Sequence, residues 1–121
     1  MLAVALGERQ GWWRLPKAAS SYFPLLLWLA FAVSSTPVYL ITWKAVRRFG
    51  GRGLAVFALV AAATGPARDY QFAAMFPAWI DFSPGITPII AIATIYALLG
   101  VVGHTVMRMV SGPAEGDSFA R

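Results

Sequence analysis

The sequence contains no cysteine and no asparagine, only one histidine and only five acidic residues among 121. The absence of cysteine excludes disulfides, thiolate metal sites and cysteine nucleophiles. No G-x-S-x-G, H-E-x-x-H, phosphate-binding loop or paired-carboxylate motif is present, so the common hydrolase, metalloprotease and nucleotide-binding chemistries have no signature here. The apolar start at residues 1–6 is too short for the core of a secretory signal. We therefore expect neither an enzyme nor a metal site.

Charge is also scarce, since charged residues make up 12% of the chain and hydrophobic residues 59%. Soluble domains carry about twice that charged fraction, and a chain this short cannot bury so much apolar surface inside itself. The net charge of +5 is not typical of nucleic-acid binding, because the basic residues cluster at the ends of apolar runs, as they do at membrane surfaces. The composition predicts one integral membrane domain, residues 1–121.

Three apolar runs predict an all-α fold with transmembrane helices at about 22–43, 54–76 and 86–110. The last run is the longest and has no charge before Arg108. About 25 helical residues extend about 37 Å, which exceeds a hydrocarbon core of about 30 Å. Around these helices we expect a polar tail at 112–121 and, at 1–20, an interfacial segment. A docking arm onto a partner protein is the alternative for residues 1–20.

Two prolines lie inside the first two predicted helices. Pro37 predicts a kink, and Pro66 predicts a break or a kink. In the favoured interpretation the second helix ends at Pro66, and residues 72–79 lie along the membrane surface beyond Arg68 and Asp69. In the other, the helix continues to about Phe76 and places both charges near the bilayer midplane, where each needs a partner. Adjacent helical residues point in different directions, so we do not expect these two to pair with each other.

The segment 44–53, KAVRRFGGRG, contains four basic residues and no acid. We predict a short loop here, and short positive loops stay in the cytoplasm. Three crossings then place the N-terminus outside and the C-terminus inside, and the expected location is a bacterial inner membrane. Arg47 and Arg48 are candidates for contact with an anionic lipid headgroup.

His104 is the only residue of its kind and a candidate haem or pigment ligand, with Tyr96 two turns before it. The alternatives for His104 are a hydrogen bond between helices and a role in quinone binding or proton transfer. The residues at neighbouring positions of this helix are small, and a face of small residues lets membrane helices approach closely. The predicted packing positions are Ala93, Ala97, Gly100 and Gly103.

A second candidate site consists of Arg68, Asp69 and Tyr70. If the second helix continues through Pro66, these residues form a candidate proton or anion site. If the helix ends there, they cap an element and bind lipid phosphate.

The predicted function is that of a small accessory or anchor subunit of a larger membrane complex, respiratory or photosynthetic, with lipids and other membrane subunits as partners. Size, crossing number and a single histidine are similar to those of the membrane anchor subunits of succinate dehydrogenase and fumarate reductase, but the motifs around the histidine do not match, so the sequence is not assigned to that family. One alternative is an electron-transfer subunit that holds haem, quinone or pigment at His104. Another is a small transporter or membrane enzyme that uses Arg68 and Asp69.

Overall fold

The computed structural model describes residues 2–16 and 23–112, and most of them are helical. The tail beyond residue 112 and part of the N-terminal segment lie outside the described residues. Two-residue strands form one short antiparallel pair, in which Trp13 faces Phe82 and Arg14 faces Asp81. In chain order the elements are α1 (Leu2–Arg9), β1 (Trp13–Arg14), α2 (Phe23–Met75), β2 (Asp81–Phe82) and α3 (Thr87–Ser111).

The helix α2 is interrupted at Gly50, where the backbone adopts φ 57° and ψ −135°. This conformation is the mirror image of an extended one and is open mainly to glycine. The residues on either side stay helical, so Gly50 divides α2 into a first arm, residues 23–49, and a second arm, residues 51–75. The arms meet closely, because a Cβ on Gly53 would lie 3.0 Å from the carbonyl oxygen of Val46.

The first arm runs parallel to α3. The Tyr39 hydroxyl donates a hydrogen bond of 2.7 Å to the carbonyl oxygen of Leu99, and Arg47 donates one of 2.7 Å to the carbonyl oxygen of Gly112. Residue numbers therefore rise together along the two helices.

The second arm runs antiparallel to α3. Phe57, near its start, touches Gly100, whereas Gly65, further along the arm, touches Tyr96. The rings of Tyr39 and Phe57 also contact each other, with centroids 5.9 Å apart. The two arms and α3 therefore form an up-down-up bundle that turns at Gly50, and we call this end of the bundle the hairpin end.

The predicted loop at residues 44–53 is wrong in its extent, because every residue of that segment except Gly50 is helical in backbone geometry. The favoured prediction that the second helix ends at Pro66 is also wrong. Helical dihedral angles continue through Pro37 and Pro66 as far as Met75. Pro66 is itself buried, so packing against neighbours keeps the helix intact where local propensity alone would stop it.

Two stretches of the described residues are long and apolar enough to cross a membrane by length and composition, Ala32–Met75 and Thr87–Ser111. Few apolar side chains of the described residues are buried, and the buried cluster consists of Trp13, Leu15 and Ile92. The Trp13 indole N–H donates a hydrogen bond of 3.1 Å to the carbonyl oxygen of Val4. Residues 2–16 therefore pack against α3 of the same chain, at the end opposite the hairpin, which we call the strand end.

Candidate functional site

Arg68, Asp69 and Tyr96 form a hydrogen-bonded group, called here the ion-pair cluster, between the second arm and α3. The Arg68 guanidinium lies 3.1 Å from a carboxylate oxygen of Asp69. The Tyr96 hydroxyl donates to the same carboxylate at 2.9 Å and accepts a hydrogen bond from Arg68. The guanidinium also lies over the Tyr96 ring, 5.1 Å from its centroid. Three side chains from two helices therefore satisfy one another.

The expectation that Arg68 and Asp69 would not pair with each other is wrong. The Cβ atoms of adjacent helical residues diverge, but an arginine side chain is long enough to bend back to its neighbour. Tyr96 holds the carboxylate from the other side, which fixes the geometry. Both charged side chains remain partly accessible, with 48% of Arg68 and 27% of Asp69 exposed.

Gly65 makes room for this arrangement. A Cβ on Gly65 would lie 2.2 Å from a ring carbon of Tyr96, which is far inside van der Waals contact. Glycine at this position therefore lets the two helices approach until the Tyr96 hydroxyl reaches Asp69. The sequence around Gly65 does not predict this contact, because Tyr96 lies 31 residues further along the chain.

Replacing Gly65 by alanine is expected to lower the free energy of unfolding by about 1 kcal/mol. Overpacking costs about 1–3 kcal/mol, and the higher helix propensity of alanine returns up to about 1 kcal/mol. Denaturation in mixed micelles, followed by helical circular dichroism, measures the difference. Gly51→Ala, at an exposed helical position, is the control and should not destabilise. A Gly65→Ala protein as stable as the parent would contradict the close packing of Gly65 against Tyr96.

A cavity of about 230 Å³ adjoins the ion-pair cluster and is lined by all three helical segments of the bundle. Its wall is mainly apolar, with a polar strip formed by hydroxyl groups and the guanidinium. The exposed side chains at its border leave it open at the bundle surface. The polar lining residues are Ser34, Ser35, Tyr39, Thr64, Arg68 and Tyr96.

His104 lies near the hairpin end in a cage of three aromatic rings and is 3% exposed. The Trp43 ring stacks on it at a centroid distance of 5.8 Å, the Phe57 ring meets it edge-on at 4.6 Å, and the Tyr39 ring lies 5.1 Å away. The Thr42 hydroxyl lies 3.4 Å from Nε2. Within the described residues, Nδ1 has no hydrogen-bond partner.

The space beside His104 does not fit a haem or a chlorin. The adjoining cavity has a volume of about 90 Å³, which is smaller than the cavity of about 150 Å³ known to hold a single benzene ring. A macrocycle bound through His104 would have to displace Trp43 or Phe57. His104 and Tyr96 also belong to different groups, since Tyr96 bonds to Asp69 and His104 to the first arm.

Basic side chains gather at the hairpin end. The Arg47 guanidinium lies 4.5 Å from the centroid of the Trp43 ring and bonds to the end of α3, so it ties two helices together. Arg48 is exposed and lies over the Phe49 ring. The parallel course of the first arm and α3 also brings Arg108 to this end of the bundle.

The other predicted site residues lie elsewhere. Tyr70 does not join the ion-pair cluster, because its ring stacks on Phe82 at 4.5 Å.

Gly100 and Gly103 do lie at helix contacts, where a Cβ would come within 3.0 Å of Phe57 and 2.7 Å of Tyr39. Ala93 and Ala97 are partly buried. The aromatic residues Tyr39 and Phe57 were missed, because a face of small residues predicts a close approach but does not show which side chains lie opposite it.

Among residues 2–16 and 23–112, no group of three or more histidine or acidic side chains could hold a metal ion. Comparison with known proteins gives no relative: no family model, no curated protein and no solved structure matches this chain.

Proposed function

We propose that this protein is a three-crossing subunit of a larger complex in a bacterial inner membrane, of the respiratory or photosynthetic kind. The two arms of α2 and α3 are the crossings. Each arm has about the length that a bilayer core of about 30 Å requires, and their antiparallel packing brings the turn at Gly50 back to one membrane surface. The N-terminus then lies outside and the C-terminus inside.

The distribution of basic residues supports this orientation. The hairpin end carries five basic residues and, within the described part of the chain, no acidic one: Lys44, Arg47, Arg48, Arg52 and Arg108. At the strand end, by contrast, basic residues have acidic neighbours. Arg14 faces Asp81 across the strand pair, and Arg9 follows Glu8 in the sequence. Because lysine and arginine near short turns stay in the cytoplasm, the hairpin end is the cytoplasmic end.

The partial exposure of the ion-pair cluster is the observation that supports the proposal that this protein belongs to a complex. We place the midpoint of the second arm, residue 63, at the centre of the bilayer. Asp69 then lies about 9 Å from the bilayer centre, at a rise of about 1.5 Å per residue. That depth is inside a half-thickness of about 15 Å. A charged side chain costs about 2.5–3.5 kcal/mol at the centre of a membrane helix, yet 48% of Arg68 is exposed. A neighbouring membrane subunit with polar groups at this depth would cover it.

Photocrosslinking in the cells that make this protein tests the proposal. A benzophenone amino acid replaces Ala67, which is exposed beside Arg68, or Leu98, which is 59% exposed and about 200° around α3 from Tyr96. We expect Ala67 to give one protein adduct, identified by mass spectrometry as a second copy or another subunit. Leu98 should give lipid adducts.

Loss of the Ala67 adduct in the Arg68→Leu/Asp69→Leu double variant would tie the contact to the ion-pair cluster. The proposal is wrong if Ala67 labels only lipid and the protein elutes from mild detergent as a monomer by light scattering.

The electron-transfer alternative at His104 is weakened by the cage geometry, which leaves no room for a macrocycle. An optical spectrum of the purified protein distinguishes the two proposals, because a Soret or chlorin band would favour the cofactor. The transporter or enzyme alternative requires that Arg68 and Asp69 act on a substrate, and variants that fold but lose an activity would favour it.

A further inference from the structure

We propose that the cavity beside the ion-pair cluster binds the head of a quinone-type lipid, a neutral six-membered ring with carbonyl oxygens and a long apolar tail. The inference relies on the membrane location in the proposed function and not on the partner subunit. It concerns binding alone and assigns no electron transfer to this chain.

The polar strip of the cavity matches the acceptor oxygens of such a ring. Arg68 and the Ser35 hydroxyl border the cavity, and guanidinium and hydroxyl groups are hydrogen-bond donors. They lie on different arms of α2. A ring with two carbonyl oxygens can therefore accept a hydrogen bond from either arm.

The charge of the cavity favours a neutral ligand over an anionic one. The positive charge of Arg68 is balanced by the carboxylate of Asp69 at 3.1 Å. A phosphate headgroup would have to compete with that carboxylate in a medium that strengthens their attraction. The basic residues suited to anionic lipid lie instead at the hairpin end, about 20 Å away along the second arm.

The size and walls of the cavity fit one ring. A volume of about 230 Å³ exceeds the cavity of about 150 Å³ that holds benzene, and it leaves space for ring substituents. The Tyr39 and Phe57 rings line it with their planes 46° apart, and aromatic rings favour offset or edge contacts with a further ring.

Access is from the lipid side. Val38 and Val60 border the cavity and are 48% and 54% exposed. An apolar tail can leave between these side chains into the bilayer while the ring stays between the helices. This geometry suits a ligand that reaches the site from the hydrocarbon phase rather than from water.

Photolabelling of the purified protein in phosphatidylcholine nanodiscs with an azido derivative of decylubiquinone tests this proposal. We expect labelled peptides at residues 60–65 and 96–100, and an excess of unmodified decylubiquinone should suppress the labelling. Ala61→Phe fills the cavity and should lower this competed labelling at least tenfold. Ala63→Phe, two residues away and exposed, is the matched control and should change it less than twofold.

Helical circular dichroism checks that each variant is folded. If Ala61→Phe does not fold, Ser35→Leu fills the cavity from the other arm and should give the same loss. Equal labelling of the Ala61→Phe and Ala63→Phe proteins, or labelling that decylubiquinone does not suppress, overturns the proposal. Competition by phosphatidylglycerol but not by decylubiquinone also overturns it, because the cavity then binds a lipid phosphate. The Ala67 crosslink is independent of these results, so the two proposals fail separately.

Discussion

Replacing Gly50 by valine is expected to lower the free energy of unfolding by about 3 kcal/mol. At φ 57° and ψ −135° a side chain meets its own backbone, and such conformations cost about 1–3 kcal/mol for residues other than glycine. A β-branched residue lies at the upper end of that range. Gly50 is also buried at the meeting point of the two arms, so the strain cannot be relieved without separating them.

The adjacent glycine supplies a control with the opposite expected sign. Gly51 is exposed and its φ is not positive, so Gly51→Ala should stabilise the helix by about 0.5–1 kcal/mol. Both variants are compared with the parent by denaturation in mixed micelles, with helical circular dichroism as the signal. If the turn lay elsewhere, both substitutions would change the free energy of unfolding in the same direction. That result would contradict the break at Gly50.

The second large effect is expected at the ion-pair cluster. Arg68→Leu takes the guanidinium away from the Asp69 carboxylate, and Asp69→Leu takes the carboxylate away from Arg68. Removing one partner of a buried pair costs about 3–5 kcal/mol. Because both side chains are partly exposed, we expect about 2 kcal/mol for each single variant.

The double variant Arg68→Leu/Asp69→Leu is expected to recover most of that loss. It removes both charges together, and leucine is among the side chains that are most favourable in a membrane helix. A double-mutant cycle of unfolding free energies in mixed micelles measures the coupling. Single-variant effects that simply add in the double variant would contradict the pairing. The same double variant should fold and yet lose the Ala67 crosslink, which separates stability from assembly.

The positions of the helices could be predicted from the sequence because they depend on one-dimensional patterns. The sequence predicts a helix at 86–110, because a long apolar run is compatible with few structures other than a helix. The observed helix α3 spans Thr87–Ser111. The prediction that the second helix ends at Pro66 was wrong. A proline inside a helix has a real local cost, but Pro66 is buried, and an interrupted helix would leave buried polar backbone groups unpaired, which costs more.

The turn was expected over ten residues and is confined to one. The sequence placed four basic residues and three glycines there, which indicates a turn but not its width. Only Gly50 takes a positive φ within α2. Glycine tolerates both helical and mirror-image conformations, so composition alone could not say which of the glycines would form the turn.

The candidate site could be predicted only in part, because it depends on contacts between distant residues. Arg68, Asp69 and Tyr96 were each singled out, but Tyr96 was grouped with His104 on the same helix. Their association follows from the register of the second arm against α3, in which Gly65 lies against Tyr96 and Gly100 against Phe57. The strand pair between Trp13 and Phe82 has no local signal at all, since the two residues are far apart in the chain.

Cysteine accessibility tests the three-crossing bundle most directly, because the native chain has no cysteine to interfere. Single cysteines replace three exposed residues, Gln10, Phe49 and Ala78, and a membrane-impermeant maleimide is added to intact spheroplasts. Cysteines at positions 10 and 78 should react at once, and the one at position 49 should react only after the membrane is permeabilised. Labelling of positions 10 and 78 from opposite sides, or of position 49 in intact spheroplasts, would contradict a chain that crosses the bilayer three times and turns at Gly50 in the cytoplasm.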